Sequence, residues 1–135
     1  MQRTILSIED DEVTQLLHKI EFEDAELIVN VVEAWSGQIA LDYFEALNKE
    51  EDAFSKLPAL ILLDLNMPVM GGWEFLEIFS TTYPHFVERI KIFVLSSSIN
   101  PEDRIRASKE PLVQAFLYKP LNEKDIDILR KAISE

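Results

Sequence analysis

The sequence predicts an α/β fold in which five parallel strands form one sheet with helices on both of its faces. Short, mostly apolar runs of strand length alternate five times with stretches of helical length. Such alternation is typical of βαβ units, whose right-handed crossovers leave few other topologies. A (β/α)₈ barrel would need about 250 residues, whereas this chain has 135.

The third strand has the clearest pattern of the ten predicted elements. Residues 59–63 are wholly apolar and lead directly to Asp64, as expected for a central strand that is covered on both faces. Ser36, Asn100 and Asn122 are predicted to cap the helices that follow them. The polar segment 48–56 is predicted to be a mobile surface connection. In chain order, we predict strands at 4–8, 26–33, 59–64, 90–95 and 114–118, and helices at 11–22, 36–48, 72–80, 101–109 and 122–133.

Length and composition indicate one domain that spans residues 1–135. The chain is 47% apolar and contains no cysteine, which excludes disulfides, thiolate catalysis and cysteine-bound zinc. No apolar run approaches the roughly 20 residues that a membrane-spanning helix needs. The chain starts directly into a predicted strand, without a secretory signal, so we expect a cytoplasmic protein that does not interact with membranes.

The charge balance argues against nucleic-acid partners. The chain has 13 basic and 25 acidic side chains, which gives a formal net charge of −12. A phosphate backbone would be repelled by this field at every distance that salt does not screen. We therefore expect partners that are proteins.

Polar side chains follow four of the five predicted strands at the point where each strand ends. Glu9 and Asp10 follow the first, Asp64 ends the third, Ser96 follows the fourth and Lys119 follows the fifth. The carboxyl ends of parallel strands meet at one edge of a sheet, where open α/β proteins place their chemistry. The pattern therefore predicts one site that combines acids, a hydroxyl and a lysine.

The acids of this predicted site suggest a bound cation. Two carboxylates 4 Å apart repel each other by about 4 kcal/mol at an effective dielectric constant near 20, so the cluster favours a proton or a cation. Mg²⁺ prefers oxygen ligands and needs only one or two carboxylates beside phosphate and water. The alternative is that Glu9 and Asp10 only cap the first helix.

Several short motifs resemble, in order and spacing, the receiver domain of two-component response regulators. The resemblance covers essentially the whole chain and implies a flavodoxin-like (βα)₅ fold with strand order 2-1-3-4-5, like that of single-domain chemotaxis regulators. The motifs are Glu9-Asp10, Asp64 with Asn66-Met67-Pro68 and Gly72, Ser96, and Lys119-Pro120.

The resemblance implies a role for each residue of the site. Asp64 would accept a phosphoryl group from the phosphohistidine of a sensor histidine kinase or a histidine phosphotransfer protein. Mg²⁺ would be bound by Asp64, by Asp10 directly, by Glu9 through water and by the backbone carbonyl of Asn66. Ser96 and Lys119 would bind the phosphoryl oxygens.

The resemblance also implies a switch and an output surface. Ser96, where threonine is commoner, would move toward the phosphoryl group, and Phe116, where many members have tyrosine, would repack behind it. A downstream protein would then recognise the face formed by the elements at 101–109, 114–118 and 122–133. The chain would be a stand-alone signalling domain with no output domain and no separate enzymatic activity, either a monomer or a phosphorylation-dependent dimer.

Two other functions remain open on the sequence alone. A haloacid-dehalogenase-like phosphohydrolase also uses an aspartate nucleophile with Mg²⁺, but Asn66 stands where those enzymes have a second aspartate. A degenerate receiver would bind partners without phosphorylation. His85 is predicted to lie in a loop, 83–86. Both His18 and His85 are expected at ordinary surface or interface positions, and Trp73 is expected to be a packing residue.

Overall fold

A computed structural model of the protein describes residues 3–97 and 100–134, which form one five-stranded parallel sheet in the order β2-β1-β3-β4-β5. Six helices connect and cover the strands, and the fold class and strand order predicted above are confirmed. The strands are β1 (Arg3–Ile8), β2 (Val29–Ala34), β3 (Leu60–Asp64), β4 (Lys91–Ser96) and β5 (Val113–Tyr118). The helices are α1 (Glu12–Asp24), α2 (Gly37–Asn48), α3 (Gly72–Thr82), α4 (Pro84–Val87), α5 (Pro101–Lys109) and α6 (Glu123–Ser134).

The sheet separates two hydrophobic clusters, because alternate side chains of each strand point to opposite faces. The first cluster lies under α2 and α3 and is rich in aromatic rings. The second lies under α1 and α6. All five residues of β3 are buried, which fits its central place in the sheet. The central strand of the sheet thus fixes the position of Asp64, its last residue.

The predicted caps are present at the three helices named above. Ser36 Oγ accepts a hydrogen bond from the Ile39 amide at 3.1 Å, and Asn100 Oδ1 accepts one from the Glu102 amide at 3.0 Å. At α6, Asn122 Oδ1 accepts a hydrogen bond from the amide of Asp125 at 2.9 Å. These contacts satisfy amide groups that have no partner within the helix itself.

Three predicted segments differ from the structure. Strand β2 starts at Val29 and not at residue 26, because Glu26 adopts a positive φ of 56° where the chain turns out of α1. The segment 48–56 contains a turn of 3₁₀ helix, Ala53–Lys56, with Ala53 buried. His85 lies in the short helix α4 and not in a loop, although its side chain is exposed as expected.

The loop from β3 to α3 brings the backbone of α3 against the end of β3. The Gly72 amide donates a hydrogen bond to Leu65 O at 3.2 Å. A Cβ atom on Gly72 would lie only 2.7 Å from Asp64 O. In the same loop Val69 is fully exposed at a φ of 68°, a backbone conformation that is strained for a β-branched residue. The close approach of α3 to Asp64 O therefore requires glycine at position 72.

Helix α5 buries little of its own surface. Ala107 is its one buried residue. Trp73 of α3 supplies a lateral attachment, which we call the Trp73 clamp: its Nε1 donates a hydrogen bond to Asp103 Oδ1 at 3.0 Å. The guanidinium of Arg106 lies 4.6 Å from the centre of the Trp73 ring. Trp73 thus packs as expected and also binds α5.

Candidate functional site

The carboxylates of Glu9, Asp10 and Asp64 form an acidic cluster at the carboxyl edge of the sheet. Strands β1 and β3 are hydrogen-bonded neighbours, with Ile8 paired with Leu63, so the residues that follow them lie side by side. One carboxylate oxygen from each acid lies within 4.8 Å of the others. Glu9 and Asp64 are buried, whereas Asp10 is exposed. The structure therefore brings these three acids together, as the strand pattern predicts.

Lys119 lies between the two buried acids. Its Nζ donates hydrogen bonds to Glu9 Oε1 at 2.7 Å and to Asp64 Oδ1 at 3.3 Å. Burial alone would lower the pKa of Lys119, but the hydrogen bond to Glu9 and the charges of Asp64 and Glu9 outweigh it and raise the pKa. The lysine is therefore a fixed positive charge beside the acids.

The pKa of Asp64 is raised even though Lys119 lies beside it. Burial, followed by the negative charge of Glu9, raises the pKa of Asp64 to about 7, and the charge of Lys119 opposes that rise. The Asn66 amide donates a hydrogen bond to Asp64 Oδ1 at 3.2 Å. An additional cation would favour the ionised, nucleophilic form of this carboxylate.

The cap of α1 is Asp11, so the alternative in which Glu9 and Asp10 cap this helix is wrong. Asp11 Oδ2 accepts hydrogen bonds from the amide and the hydroxyl of Thr14 at 3.0 and 2.6 Å. The Asp11 amide in turn donates to Glu9 Oε2 at 3.1 Å. Glu9 and Asp10 therefore do not cap α1 and belong to the acidic cluster with Asp64.

Ser96 lies on the other side of Asp64, at the end of β4. It is fully buried, and its Oγ accepts a hydrogen bond from Asn66 Nδ2 at 3.1 Å. The backbone oxygen of Ser96 also accepts a hydrogen bond from the Lys119 amide at 3.0 Å. The four predicted strand ends therefore meet around one carboxylate.

Comparison with known proteins explains this arrangement. Residues 5–131 match the family model described as the response regulator receiver domain. The chain belongs to the response regulator receiver domain family. Receiver domains are signalling domains of two-component systems that interact with kinases or phosphotransfer proteins and with downstream targets.

Individual relatives agree with this assignment. The receiver is 34% identical over 128 residues to the response regulator Rcp1 of Synechocystis sp., covering 92% of this chain and 81% of Rcp1. It is 30% identical over 131 residues to the probable methanogenesis regulatory protein FilR2 of Methanothrix harundinacea, covering 97% of this chain and 81% of FilR2.

Solved structures give the same result. A two-component response regulator from Legionella pneumophila matches with a TM-score of 0.78 and 32% identity, over 99% of this chain and 100% of that one. The Mn²⁺-bound form of Rcp1 matches with a TM-score of 0.69 and 28% identity, over 98% of this chain and 91% of that one. Within residues 3–97 and 100–134 of the receiver, no helix is long and apolar enough to cross a membrane.

Phe116 of the receiver is half-buried on β5. It packs against the first hydrophobic cluster, and its ring centre is 5.2 Å from that of Tyr118, with the two rings edge to face. Phe116 pairs with Val94 across β4 and β5, two residues before the pair of Tyr118 with Ser96. Phe116 thus lies next to Val94, two residues before Ser96 along the sheet.

Helix α1 of the receiver turns its polar residues inward. Gln15, His18 and Phe22 are its buried residues, so the surface position expected for His18 is wrong. Neither ring nitrogen of His18 has a hydrogen-bond partner among residues 3–97 and 100–134. Burial, followed by the charge of Lys119, lowers the pKa of His18 to about 4. The large apolar residues Val13, Leu16, Leu17 and Ile20 are instead exposed.

A cleft of about 450 Å³ runs from the acidic cluster along α1 to the loop after β5. His18 and Thr14 line one wall, and Lys119 and Pro120 line the other.

Sequence reasoning missed His18, Gln15 and the side chain of Asn66. An amphipathic pattern predicts burial of the apolar face of a helix, and in α1 that face points outward.

We expect His18 to make the receiver less stable in acid. The unfolded histidine has a pKa near 6.5 and the folded one about 4, so between these values only the unfolded state binds the proton. The contribution of the neutral His18 to the free energy of unfolding is therefore fully present above pH 6.5 and is lost as the pH falls toward 4. Between pH 7 and pH 5 the loss is about 2 kcal/mol.

Urea unfolding at pH 7 and pH 5 checks this expectation. His18→Leu should lose less free energy of unfolding over this interval than the parent, whereas the exposed-site control His85→Gln should lose as much. A parental pH dependence in His18→Leu would mean that the folded state already accommodates the protonated ring.

Proposed function

We propose that this receiver accepts a phosphoryl group on Asp64 from a sensor histidine kinase or a histidine phosphotransfer protein and thereby switches its contacts with a downstream protein. The single observation that carries the proposal is the placement of Asp64. Its carboxylate lies at the tip of a central strand, beside two other acids and within 3.3 Å of a partly buried lysine. Such a mixture of charges suits a phosphoryl acceptor better than a structural ion pair.

The transfer is a displacement at phosphorus. A carboxylate oxygen of Asp64 forms the new P–O bond as the P–N bond to the donor imidazole breaks, and the imidazole leaves with that electron pair. Little acid–base catalysis is required, because the transition state needs chiefly an aligned nucleophile and clamped charge. Lys119 would pair with one phosphoryl oxygen, and Ser96 would donate a hydrogen bond to another.

The residues present fit a divalent cation. Glu9, Asp10 and Asp64 offer only oxygen ligands, spaced within 4.8 Å of one another, which suits Mg²⁺ or Mn²⁺. Asp10 and Asp64 would bind Mg²⁺ directly, Glu9 through water, and Asn66 through its backbone carbonyl. The ion would neutralise the charge that accumulates when a phosphoryl group meets three acids. The Mn²⁺-bound form of the related Rcp1 supports this proposal.

Incubation with acetyl phosphate tests the chemistry directly. Intact-mass measurement should detect one added phosphoryl group when Mg²⁺ is present and almost none when EDTA removes it. A chain that acquires no phosphoryl group under these conditions would be a degenerate receiver. The haloacid-dehalogenase-like alternative receives no support from the family match or the relatives.

The exposed apolar stripe of α1 supports a helical phosphodonor. Val13, Leu16, Leu17 and Ile20 follow the i, i+3, i+4, i+7 spacing of a single helix face, and each is at least 42% exposed. The stripe borders the cleft that contains Asp64. A helix of the donor protein would cover the stripe and present its phosphohistidine to the cleft. The net charge of −12 favours a donor with a basic rim.

The signal would pass through Ser96 and Phe116 to the face formed by α5, β5 and α6. Phosphorylation gives the Ser96 hydroxyl a charged acceptor, and such a hydrogen bond contributes roughly 1.5 to 3 kcal/mol. This difference would shift a two-state equilibrium by one to two powers of ten. The receiver would be a monomer, or a dimer formed on phosphorylation.

Replacing the hydroxyl separates chemistry from signalling. We expect Ser96→Ala to be phosphorylated on Asp64 but to lose most of the NMR shift changes that beryllofluoride produces in residues 100–120. Ser97→Ala, which removes an exposed neighbouring hydroxyl, is the matched control and should respond as the parent does. A full response in Ser96→Ala would remove Ser96 from the switch.

A further inference from the structure

Gln15 is a buried polar residue of α1 that contacts the end of β1. It is 1% exposed, and its Nε2 donates two hydrogen bonds, to Ser7 O at 3.0 Å and to Glu9 O at 3.1 Å. The two acceptors fix the orientation of the amide, because a flipped side chain would place Oε1 against two carbonyl oxygens. Gln15 therefore joins α1 to the turn that carries the acids.

Residue 9 is held on both sides of its peptide backbone. The Glu9 amide donates to Ala34 O of β2 at 3.0 Å, and the Glu9 carbonyl accepts from Gln15. The Glu9 side chain then accepts hydrogen bonds from the Asp11 amide and from Lys119. Removing Gln15 would free the carbonyl side of the residue that begins the acidic pair.

This turn needs support because its side chains repel Asp64. Glu9 and Asp64 are almost fully buried, where like charges are screened little. Lys119 offsets part of this repulsion, and what remains acts to move the β1–α1 turn away from β3. A donor amide that is itself buried in α1 opposes that movement without adding charge.

We propose that Gln15 is a positioning residue for the divalent cation: it holds the backbone at Glu9 so that Glu9 and Asp10 stay directed at Asp64. The inference rests on the proposed function, because it concerns the cation that the acidic cluster would bind. Residues that orient metal ligands typically change metal affinity by about 10- to 100-fold. Gln15 contacts the backbone of one such ligand, Glu9, directly, and Asp10 is the next residue in the same turn.

Gln15→Met gives the sharpest test, because methionine has a similar length and no hydrogen-bond donor. We expect the dissociation constant for Mg²⁺, measured by calorimetry on the unphosphorylated protein, to rise about tenfold. The rate of phosphorylation by acetyl phosphate should fall at low Mg²⁺ and recover at saturating Mg²⁺, since Asp64 and Lys119 are unchanged. Gln15→Asn, whose side chain is too short for both contacts, provides the same test if the methionine variant does not fold.

A packing variant of the same helix is the control. Phe22→Leu removes volume from the buried face of α1 without touching the turn, and should lower the free energy of unfolding while leaving the Mg²⁺ affinity unchanged. Parental affinity in Gln15→Met, with a loss of stability alone, would overturn the positioning role and leave the proposed function intact. Failure of the parent to bind Mg²⁺ would overturn both the inference and the proposed cation site.

Discussion

Asp64→Asn is expected to abolish phosphorylation and at the same time to stabilise the metal-free protein. The amide of asparagine is too weak a nucleophile to attack phosphorus, so the rate of phosphorylation by acetyl phosphate should fall at least a hundredfold, which corresponds to about 2.7 kcal/mol or more in activation free energy. Labelling of Asp64→Asn at full stoichiometry would mean that another residue is the acceptor.

The stability gain follows from the electrostatics of Asp64. Its pKa of about 7 means that ionising this carboxylate is unfavourable in the folded state. Above pH 7 the folded protein bears that cost and the unfolded chain does not. Asparagine also gives up the ion pair of Asp64 with Lys119, so a neutral side chain should raise the free energy of unfolding by about 1 to 2 kcal/mol, which is less than the full pKa shift implies. Lys119 keeps its shorter contact, to Glu9 at 2.7 Å.

Urea unfolding at pH 8 in EDTA measures this gain. Asp10→Asn is the control, because Asp10 is exposed in the same cluster. We expect it to gain much less stability and to remain phosphorylated, but only at higher Mg²⁺ concentrations. A clear loss of stability in Asp64→Asn would identify Asp64 as a structural partner of Lys119.

Gly72→Ala is expected to destabilise the protein by about 3 kcal/mol or more. The new Cβ would lie 2.7 Å from Asp64 O and 2.9 Å from Leu65 Cα, and neither backbone atom can move away without shifting β3 or α3. Because the clash falls on Asp64, the proposed phosphoryl acceptor, phosphorylation of the folded fraction should slow as well.

The adjacent glycine is a matched control. At Gly71 the nearest atom to a new Cβ is Leu65 O at 3.4 Å, an ordinary contact. Its φ of −73° suits alanine, so Gly71→Ala should cost about 1 kcal/mol or less as a changed N-cap. Thermal or urea unfolding measures the stability lost by each variant. Equal losses in free energy of unfolding would show that the close approach at Gly72 relaxes easily.

The sequence was sufficient to predict the sheet and the acids at its edge, because both follow from local patterns. The apolar run before Asp64 can hardly be anything but a buried strand, and the end of a parallel strand determines where its last side chain lies. The start of β2 was misplaced because Leu27 and Ile28 look like strand residues, although the chain is still leaving α1 there.

The inward face of α1 could not be predicted in the same way. Its buried residues are Gln15, His18 and Phe22, while the stripe formed by Val13, Leu16, Leu17 and Ile20 is exposed. Hydrophobic periodicity assigns the apolar stripe to the core, and only the three-dimensional position of the β1–α1 turn explains why a glutamine is buried. The supporting contacts of the site, unlike its acids, depend on tertiary structure.

The small buried surface of α5 affects how the unphosphorylated protein moves. Only Ala107 is buried in this helix, so its detachment exposes little apolar surface and local opening should require far less free energy than global unfolding. The Trp73 clamp adds one hydrogen bond to a charged group and one cation–π contact, together roughly 2 to 4 kcal/mol. That is comparable to what a phosphoryl group gains from one hydroxyl. We therefore expect the Trp73 clamp to determine how often α5 opens locally in the unphosphorylated protein.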